Sequence, residues 1–435
     1  MELQLNTEVE IKLDISREDR PRLNSSELLG DPEETVQQRS IYFDTCNHDL
    51  FKSGFTLRIR RIGETYTQAV KAAGAVASLF ARSVWEQPLT DERPVFDHTT
   101  PLQREFGDIL QDLEPQFTVE VERQIWRPKE NGADVEVVAD QGLVRAGDRE
   151  TRICEIEIEL KDGDRNALFG IARKIEAVVP LRFGIVSKAG RGYRLIAPRQ
   201  LASKAEPIEL DRSMRAIEAF QAIASACFRQ FRLNEEILRC HANPEALHQA
   251  RVALRRMRSA FSLFKDVVSD AESPRLNGEL RHLAGVLGKA RDVDVLLSRK
   301  PRGDLRDRLE EVRKDRYEDA SDALNGFRGR ALMLDLNEWL HSGDYLSKPT
   351  TAEERDRPAA DYAAFALDQA RKKLRKHGKA LAHVDDEQRH QARKDTKNFA
   401  TRQSSSPLST TTRKVPGAIS ASSMPWRNCR INSVP

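Results

Sequence analysis

The sequence predicts an α+β protein: an antiparallel β-barrel enclosing a tunnel over about residues 1–200, then an all-α helical bundle over 212–400. Three observations lead there. Up to about Tyr193, short segments alternate apolar and charged residues strictly and are broken by Gly, Pro and Asp. Beyond Asp211 the period becomes that of long amphipathic helices. The charge changes sign at the same place: residues 1–200 carry 28 Lys and Arg against 35 Asp and Glu, net −7, and residues 201–435 carry 43 against 33, net +10.

The first strand, residues 7–13, puts Glu8, Glu10 and Lys12 on one face, because successive side chains in a strand point to opposite sides. Further strands are expected around 40–44, 55–61, 65–72, 79–90, 117–126, 134–139 and 153–161. In the second of these Arg58 and Arg60 share a face opposite Leu57 and Ile59. In the last, Glu155, Glu157, Glu159 and Lys161 share one. A single charged strand is ordinarily one solvated face of a sheet. Several of mixed sign imply a closed wall around a polar interior. There Glu8, Glu10, Glu155, Glu157 and Glu159 are placed to hold one or two divalent ions, Mg²⁺ or Mn²⁺, while the bases take phosphate oxygens. Helical patches are expected at 101–113 and at 165–179, the latter after Asp164 with Leu168, Ile171, Ala172 and Ile175 on one side.

Residues 201–211 read as a linker, with Asp211 as the N-cap of the first long helix. Helices are expected at 212–232, 244–268, 274–299, 303–325, 328–341, 358–382 and 386–400. A repeat lies among them: His248, Arg251 and Arg255 recur as His390, Arg393 and Lys397, a spacing that projects three bases from one helix stripe. After about Thr401 the amphipathic period disappears, acidic residues are absent and Ser and Thr dominate. This change reads as an altered reading frame near Phe399 that leaves an incomplete second repeat and a disordered tail at 401–435.

Five cysteines scattered without CxxC spacing argue against a disulfide framework or a zinc site. The absence of a leader pattern or an apolar run of spanning length points to a soluble cytoplasmic protein that does not enter the membrane. No Gly-rich phosphate loop is present, and sparse aromatic interleaving in the basic half ranks nucleic-acid binding last.

The N-terminal half resembles the CYTH superfamily, the triphosphate tunnel metalloenzymes. The likeness rests on Glu8-x-Glu10-x-Lys12 with, in order, Tyr42-Phe43-Asp44-Thr45, Arg58 and Arg60, Lys71, Arg82 with Glu86, Glu120 to Arg123, the stretch containing Asp140, Glu155 to Glu159, and Ser187-Lys188 before Arg191-Gly192-Tyr193. It implies that Lys12, Arg58, Arg60, Lys71, Arg123 and Lys188 grip a phosphate chain, and that Asp140 and Glu120 support metal or water, with Lys12, Lys71, Glu120 and Asp140 in the catalytic set. Strand parity sets Arg123 opposite Glu120 and Glu122, so Arg123 joins the site with them only through a bulge. The helical half resembles the CHAD domain through His248, Arg251, Arg255, Arg256 and Arg258, followed by Leu287-Gly288 and Arg291-Asp292-x-Asp294. That resemblance implies a basic cavity for inorganic polyphosphate, to which His248, Arg251, Arg255, Arg258, His390, Arg393 and Lys397 contribute.

Together these readings lead to metal-dependent hydrolysis of tripolyphosphate to pyrophosphate and phosphate, with association to polyphosphate granules. The alternatives are a non-catalytic polyphosphate-binding protein, or a CYTH enzyme acting on thiamine triphosphate or nucleoside triphosphates, adenylate cyclase included.

Overall fold

The computed structural model describes residues 6–73, 81–97, 100–198, 200–208, 210–211 and 213–378. The predicted helix at 386–400, with His390, Arg393 and Lys397, and the tail at 401–435 lie outside them.

Alternating sequence gives ten strands: β1 (Asn6–Asp14), β2 (Glu34–Asp44), β3 (Phe55–Ile62), β4 (Thr65–Ala73), β5 (Ala81–Leu89), β6 (Glu114–Trp126), β7 (Lys129–Glu130), β8 (Ala133–Ala146), β9 (Arg149–Asp162) and β10 (Arg182–Phe183). Every pairing is antiparallel. The order β1-β5-β4-β3-β2-β6-β8-β9 returns to β1, so the sheet closes and none of these eight strands is left as an edge. Short helices decorate the wall: α1 (Arg20–Ser25), α2 (Asp49–Lys52), α3 (Leu102–Phe106), α4 (Asn166–Val178) and α5 (Lys188–Ile196). Where one helix is expected at 101–113, α3 stops at Gly107 (φ +53°) and the chain continues as a 3₁₀ turn, Gly107–Asp112.

The outer face of the barrel is apolar where helices cover it, on two sides. Ile41, Phe43, Leu57, Ile59 and Val70 pack beneath Leu50 of α2, Leu102 of α3 and Leu110. Ile11, Leu13, Ile156 and Ile158 pack against Leu168, Ile171 and Ile175 of α4. The inner face changes character along its length. At one end Tyr42, Phe117, Val119, Val121, Val144 and Ile153 meet Ala189 and Tyr193 of α5, an apolar plug that closes that end. Gly192 permits the seating, since a Cβ there would lie 2.2 Å from the Phe117 ring. Asp44 locks it: fully buried, it accepts from the backbone N–H of Thr45 (2.8 Å), Leu50 (2.9 Å) and Phe51 (3.0 Å) and from the Tyr193 hydroxyl (2.6 Å).

The helical half comprises α6 (Ala216–Cys240), α7 (Pro244–Leu263), α8 (Glu272–Ser298), α9 (Asp304–Asn325), α10 (Phe327–Ser342), α11 (Ala352–Asp356) and α12 (Ala359–Gly378). Helix α6 starts at Ala216 rather than 212, because Asp211 accepts from the N–H and hydroxyl of Ser213 and caps a turn instead. The capping carboxylate is Glu218, which accepts from the Arg215 N–H at 2.9 Å. Helix α7 stops short of 268 because Val267 and Val268 turn into the core.

The stretch expected to be a linker is strapped down. Asn234 exchanges two hydrogen bonds with the Ser203 backbone (2.9 and 2.8 Å), and Asn243 donates to the Leu201 carbonyl at 2.9 Å. One continuous apolar core runs from Ile11, Ile158 and Phe183 of the barrel side to Phe220, Phe228 and Phe261 of the helices. Phe228 is fully buried and meets the Phe183 ring edge-on at 5.6 Å across that joint. Phe228→Ala is therefore expected to destabilise by about 3–5 kcal/mol. Both halves should lose structure in one denaturant transition, followed by circular dichroism and tryptophan fluorescence; two separated transitions would contradict the shared core.

Candidate active site

The inner rows carry charge where the plug ends. On β6 the row Phe117, Val119, Val121 continues to Arg123. On β8, Ala146 and Val144 lead to Asp140, and on β9 Ile153 leads to Glu155 and Glu157. Opposite them β1 contributes Lys12 and Asp14 in register with Glu157 and Glu155. Asp140, Glu155 and Glu157 converge, with carboxylate oxygens within 4.8 Å of one another; Asp140 and Glu155 are 1% and 0% exposed.

Three cations make this proximity tolerable. Lys188, at the first position of α5, reaches Asp140 (2.7 Å), Glu155 (2.6 Å) and Glu157 (3.0 Å). Lys12 donates to Glu155 at 3.3 Å and also to Glu157. Arg123 holds Asp140 in a two-pronged pair (2.8 and 2.6 Å) and touches Glu157 at 3.2 Å. Burial alone would push the Glu157 carboxyl up, but Lys12, Lys188 and Arg123 outweigh it and hold it well below the usual carboxylate range. Burial likewise would lower Lys188, and Asp140, Glu155 and Glu157 outweigh it and raise it.

The opposite wall is cationic. Arg58 and Arg60 point inward from β3 and share one carboxylate, Glu86 of β5, at 4.0 and 3.7 Å. Arg60 is held down to about 10, first by the Arg58 guanidinium, then by burial. The Nε atoms of both arginines are buried without an acceptor among the described residues. Lys71 faces the same side from β4, paired in register with Thr56 and Val84.

The tunnel thus gathers Lys12, Arg58, Arg60, Lys71, Arg123, Lys188, Asp140, Glu155 and Glu157. Glu10 and Glu159 share the inward parity of Lys12 and Glu157 farther from the plug, and Glu120 does not. Glu120 is a correction: parity sends it to the outer face, where it pairs with Arg145 (2.5 Å) and Arg39 (3.7 Å), while Arg123 points inward without any bulge. Glu159 sits nearer the opposite end from the plug, bonded to Lys161 at 2.9 Å, facing Glu10 across the β1–β9 register. Glu8 pairs with Arg82 in the backbone register, and its side chain lies outside the described part. Two inward groups were not anticipated. Asp14 continues the parity of Lys12, and Arg191 follows Lys188 by three residues on α5. Arg191 bridges Asp14 (2.6 Å) and Glu155 (3.3 Å).

On the helices, His248, Arg251 and Arg258 of α7 face α8, and Arg255 is exposed on the same stripe. The Leu287-Gly288 pair is explained here: a Cβ at Gly288 would lie 2.5 Å from Arg251 Nη1, and Arg251 donates to the Ala284 carbonyl at 2.9 Å. Burial and then Arg291 lower the His248 imidazole, and Arg281 lies against Arg258. Asp294 is buried and holds Arg313 (2.9 Å) and the Tyr317 hydroxyl (2.8 Å), tying α9 to α8.

A closed charged tunnel beside a helical bundle with a basic seam matches two known families in the same order. The CYTH domain profile fits residues 6–193 and the CHAD domain profile fits residues 222–400. The chain is a CYTH domain joined to a CHAD domain. An inorganic triphosphatase of Haemophilus influenzae is 31% identical over 164 residues, 36% of this chain and 45% of that protein. The chain thus spans less than half the length of that relative. An uncharacterized protein of Mycobacterium tuberculosis is 26% identical over 387 residues, 81% of this chain and 71% of that one. The crystal structure of the CHAD domain from the plant Ricinus communis is 30% identical and covers 47% of this chain and 70% of its own, with a TM-score of 0.42. Among the described residues of this CYTH–CHAD protein, no helix is long and apolar enough to cross a membrane.

The three tunnel carboxylates offer the all-oxygen donor set that hard divalent cations take, so the residues fit a metal ion. Without one, the lysines carry the compensation. Lys188→Met should cost the metal-free protein about 3–5 kcal/mol at pH 7, because it strands buried carboxylates. The depressed carboxylates of the native protein stabilise above their unfolded values and lose that contribution as pH falls. The variant lacks one of the cations that depress them, so it has less of that contribution to lose as pH falls. The difference in melting temperature is therefore expected to hold near pH 7 and to shrink as pH falls below the ordinary carboxylate value of 4.5; a constant gap in thermal melts down to acid pH would contradict the network.

Proposed function

We propose that the tunnel hydrolyses inorganic tripolyphosphate to pyrophosphate and phosphate with Mg²⁺ or Mn²⁺, and that the α7–α8 seam binds inorganic polyphosphate. The observation that carries this reading is the Arg58–Arg60 wall, two guanidiniums sharing the single carboxylate of Glu86 and keeping two buried Nε donors without acceptors among the described residues, in a tunnel that also holds a compact carboxylate trio. Such a tunnel suits an anion with many oxygens, which satisfies the arginines on one side while cations bridge it to carboxylates on the other.

Phosphoryl transfer asks mainly for positioning and for positive charge around the phosphoryl oxygens. Arg58 and Arg60 would hold one end of the chain by their planar forks. A divalent ion, when bound by Asp140, Glu155 and Glu157, supplies charge neutralisation of the phosphate oxygens. Lys12 and Lys188, which otherwise occupy those carboxylates, are kept protonated and lie within reach of a chain lodged in the tunnel. Arg123 stays clamped on Asp140 and orients it, and Lys71 completes the cationic side. His248, Arg251, Arg255 and Arg258 would bind longer polyphosphate, a role that suits a cytoplasmic protein associated with stored polyphosphate.

Phosphate release from tripolyphosphate, ATP, thiamine triphosphate and long-chain polyphosphate, each with Mg²⁺ or Mn²⁺, tests the reading. Tripolyphosphate is expected to be the best substrate. Arg58→Ala or Glu157→Gln should lower kcat/KM by about 10²–10⁴-fold, the loss typical of removing a preorganised charge contact, with folding unchanged. No turnover of any of the four would assign the chain to polyphosphate binding alone. Arg251→Ala with Arg255→Ala should weaken retention on immobilised polyphosphate several-fold while leaving tripolyphosphate turnover intact. Unchanged retention would make the seam an ordinary solvated surface.

A further inference from the structure

Behind the plugged end of the tunnel, where the barrel meets α6, lies a cavity of about 320 Å³. The barrel side supplies Arg17, Arg152 and Arg191, and α6 supplies Arg232 and Arg239. Three carboxylates share the wall, Asp14, Glu18 and Glu236, and two are committed: Asp14 to Arg191 at 2.6 Å, and Glu236 at 3.1 Å to Arg194, which does not line the cavity. Arg232 is paired with Glu235. Arg17 and Arg152 form no ion pair among the described residues, and Arg239 donates to a neutral acceptor, Asn325 Oδ1, at 3.2 Å. The Nε of Arg191 is buried without an acceptor among the described residues. Nearby, Arg182 is held down to about 10 by burial and then by Arg239, with Arg232 adding to the effect, which shows the same cationic crowding.

We propose that this cavity at the joint between barrel and helices is a second anion site that takes a short phosphate chain of pyrophosphate size. Uncommitted guanidiniums approach from the end of β1, from β9 and from α6, so a ligand must offer acceptors in several directions. A tetrahedral polyanion does this and a lone carboxylate does not. The site is separate from the tunnel interior, with Arg191 as the shared wall between Asp14 and Glu155. It stands whether or not the tunnel hydrolyses anything.

Cys154 lines the cavity, is partly exposed and reports on it locally. Cys46, exposed and outside the cavity lining, is the internal reference. The full chain is alkylated with iodoacetamide and each cysteine followed by peptide mass spectrometry, with pyrophosphate, phosphate or sulfate at matched ionic strength. Pyrophosphate is expected to slow Cys154 labelling at least threefold and saturably, phosphate less, and sulfate little, while Cys46 is unaffected. Protection should survive Arg58→Ala with Arg60→Ala and disappear in Arg152→Glu with Arg239→Glu. Equal protection by sulfate, no protection by pyrophosphate, or protection lost only with the tunnel arginines would each overturn the proposal. If Cys154 resists alkylation in every condition, calorimetric titration decides. Pyrophosphate binding to the Arg58→Ala, Arg60→Ala protein should lose one site on adding Arg152→Glu and Arg239→Glu, and an unchanged stoichiometry would refute it.

Discussion

The enclosure of three carboxylates with three cations inside a closed barrel is the constraint on which the rest of the molecule depends. Asp140, Glu155 and Glu157 are too close and too dry to be charged together unaided, and Lys12, Lys188 and Arg123 allow it. The cations come from three places: β1, the start of α5 and β6. Two strands of the closed wall and the helix that plugs it are thus also needed to neutralise its contents. Barrel closure, plug seating and charge balance are one condition seen from three sides.

The plug gives this arrangement its direction. Apolar inner residues end where Arg123, Asp140 and Glu155 begin, so the charges are backed on one side by packed side chains. Asp44, buried and four times hydrogen-bonded, fixes Tyr193 and with it the helix whose first residue is Lys188. Residues far from the carboxylates in sequence therefore decide where the lysine stands.

Much of this was legible in period-two alternation. The inward faces of β1, β3 and β9 follow from parity alone, and so do Lys12, Arg58, Arg60, Glu155 and Glu157. Parity also settles Glu120 against Arg123: one must face out, and the structure sends out the glutamate, onto Arg39 and Arg145. What could not be read is what depends on neighbours distant in the chain. Glu159 shares the parity of its companions but meets Lys161 near the other end, so parity gives the face and not the depth. Arg191 joins the network only because α5 lies across the barrel. Asp211 looks like a helix cap and serves a turn, since Arg215 and Glu218 cap the helix four residues later. The Leu287-Gly288 pair carries no visible reason until Arg251 is seen filling the space a side chain would take.

The core shared by barrel and helices makes the two modules a single packed unit. A recombination that swapped either half for another would bare Phe183 on one side or Phe228 on the other, both nearly fully buried. It would also release the Ser203–Asn234 strap. A change in shape on one side of the seam therefore calls for a matching change on the other, since each half fills the surface the other presents.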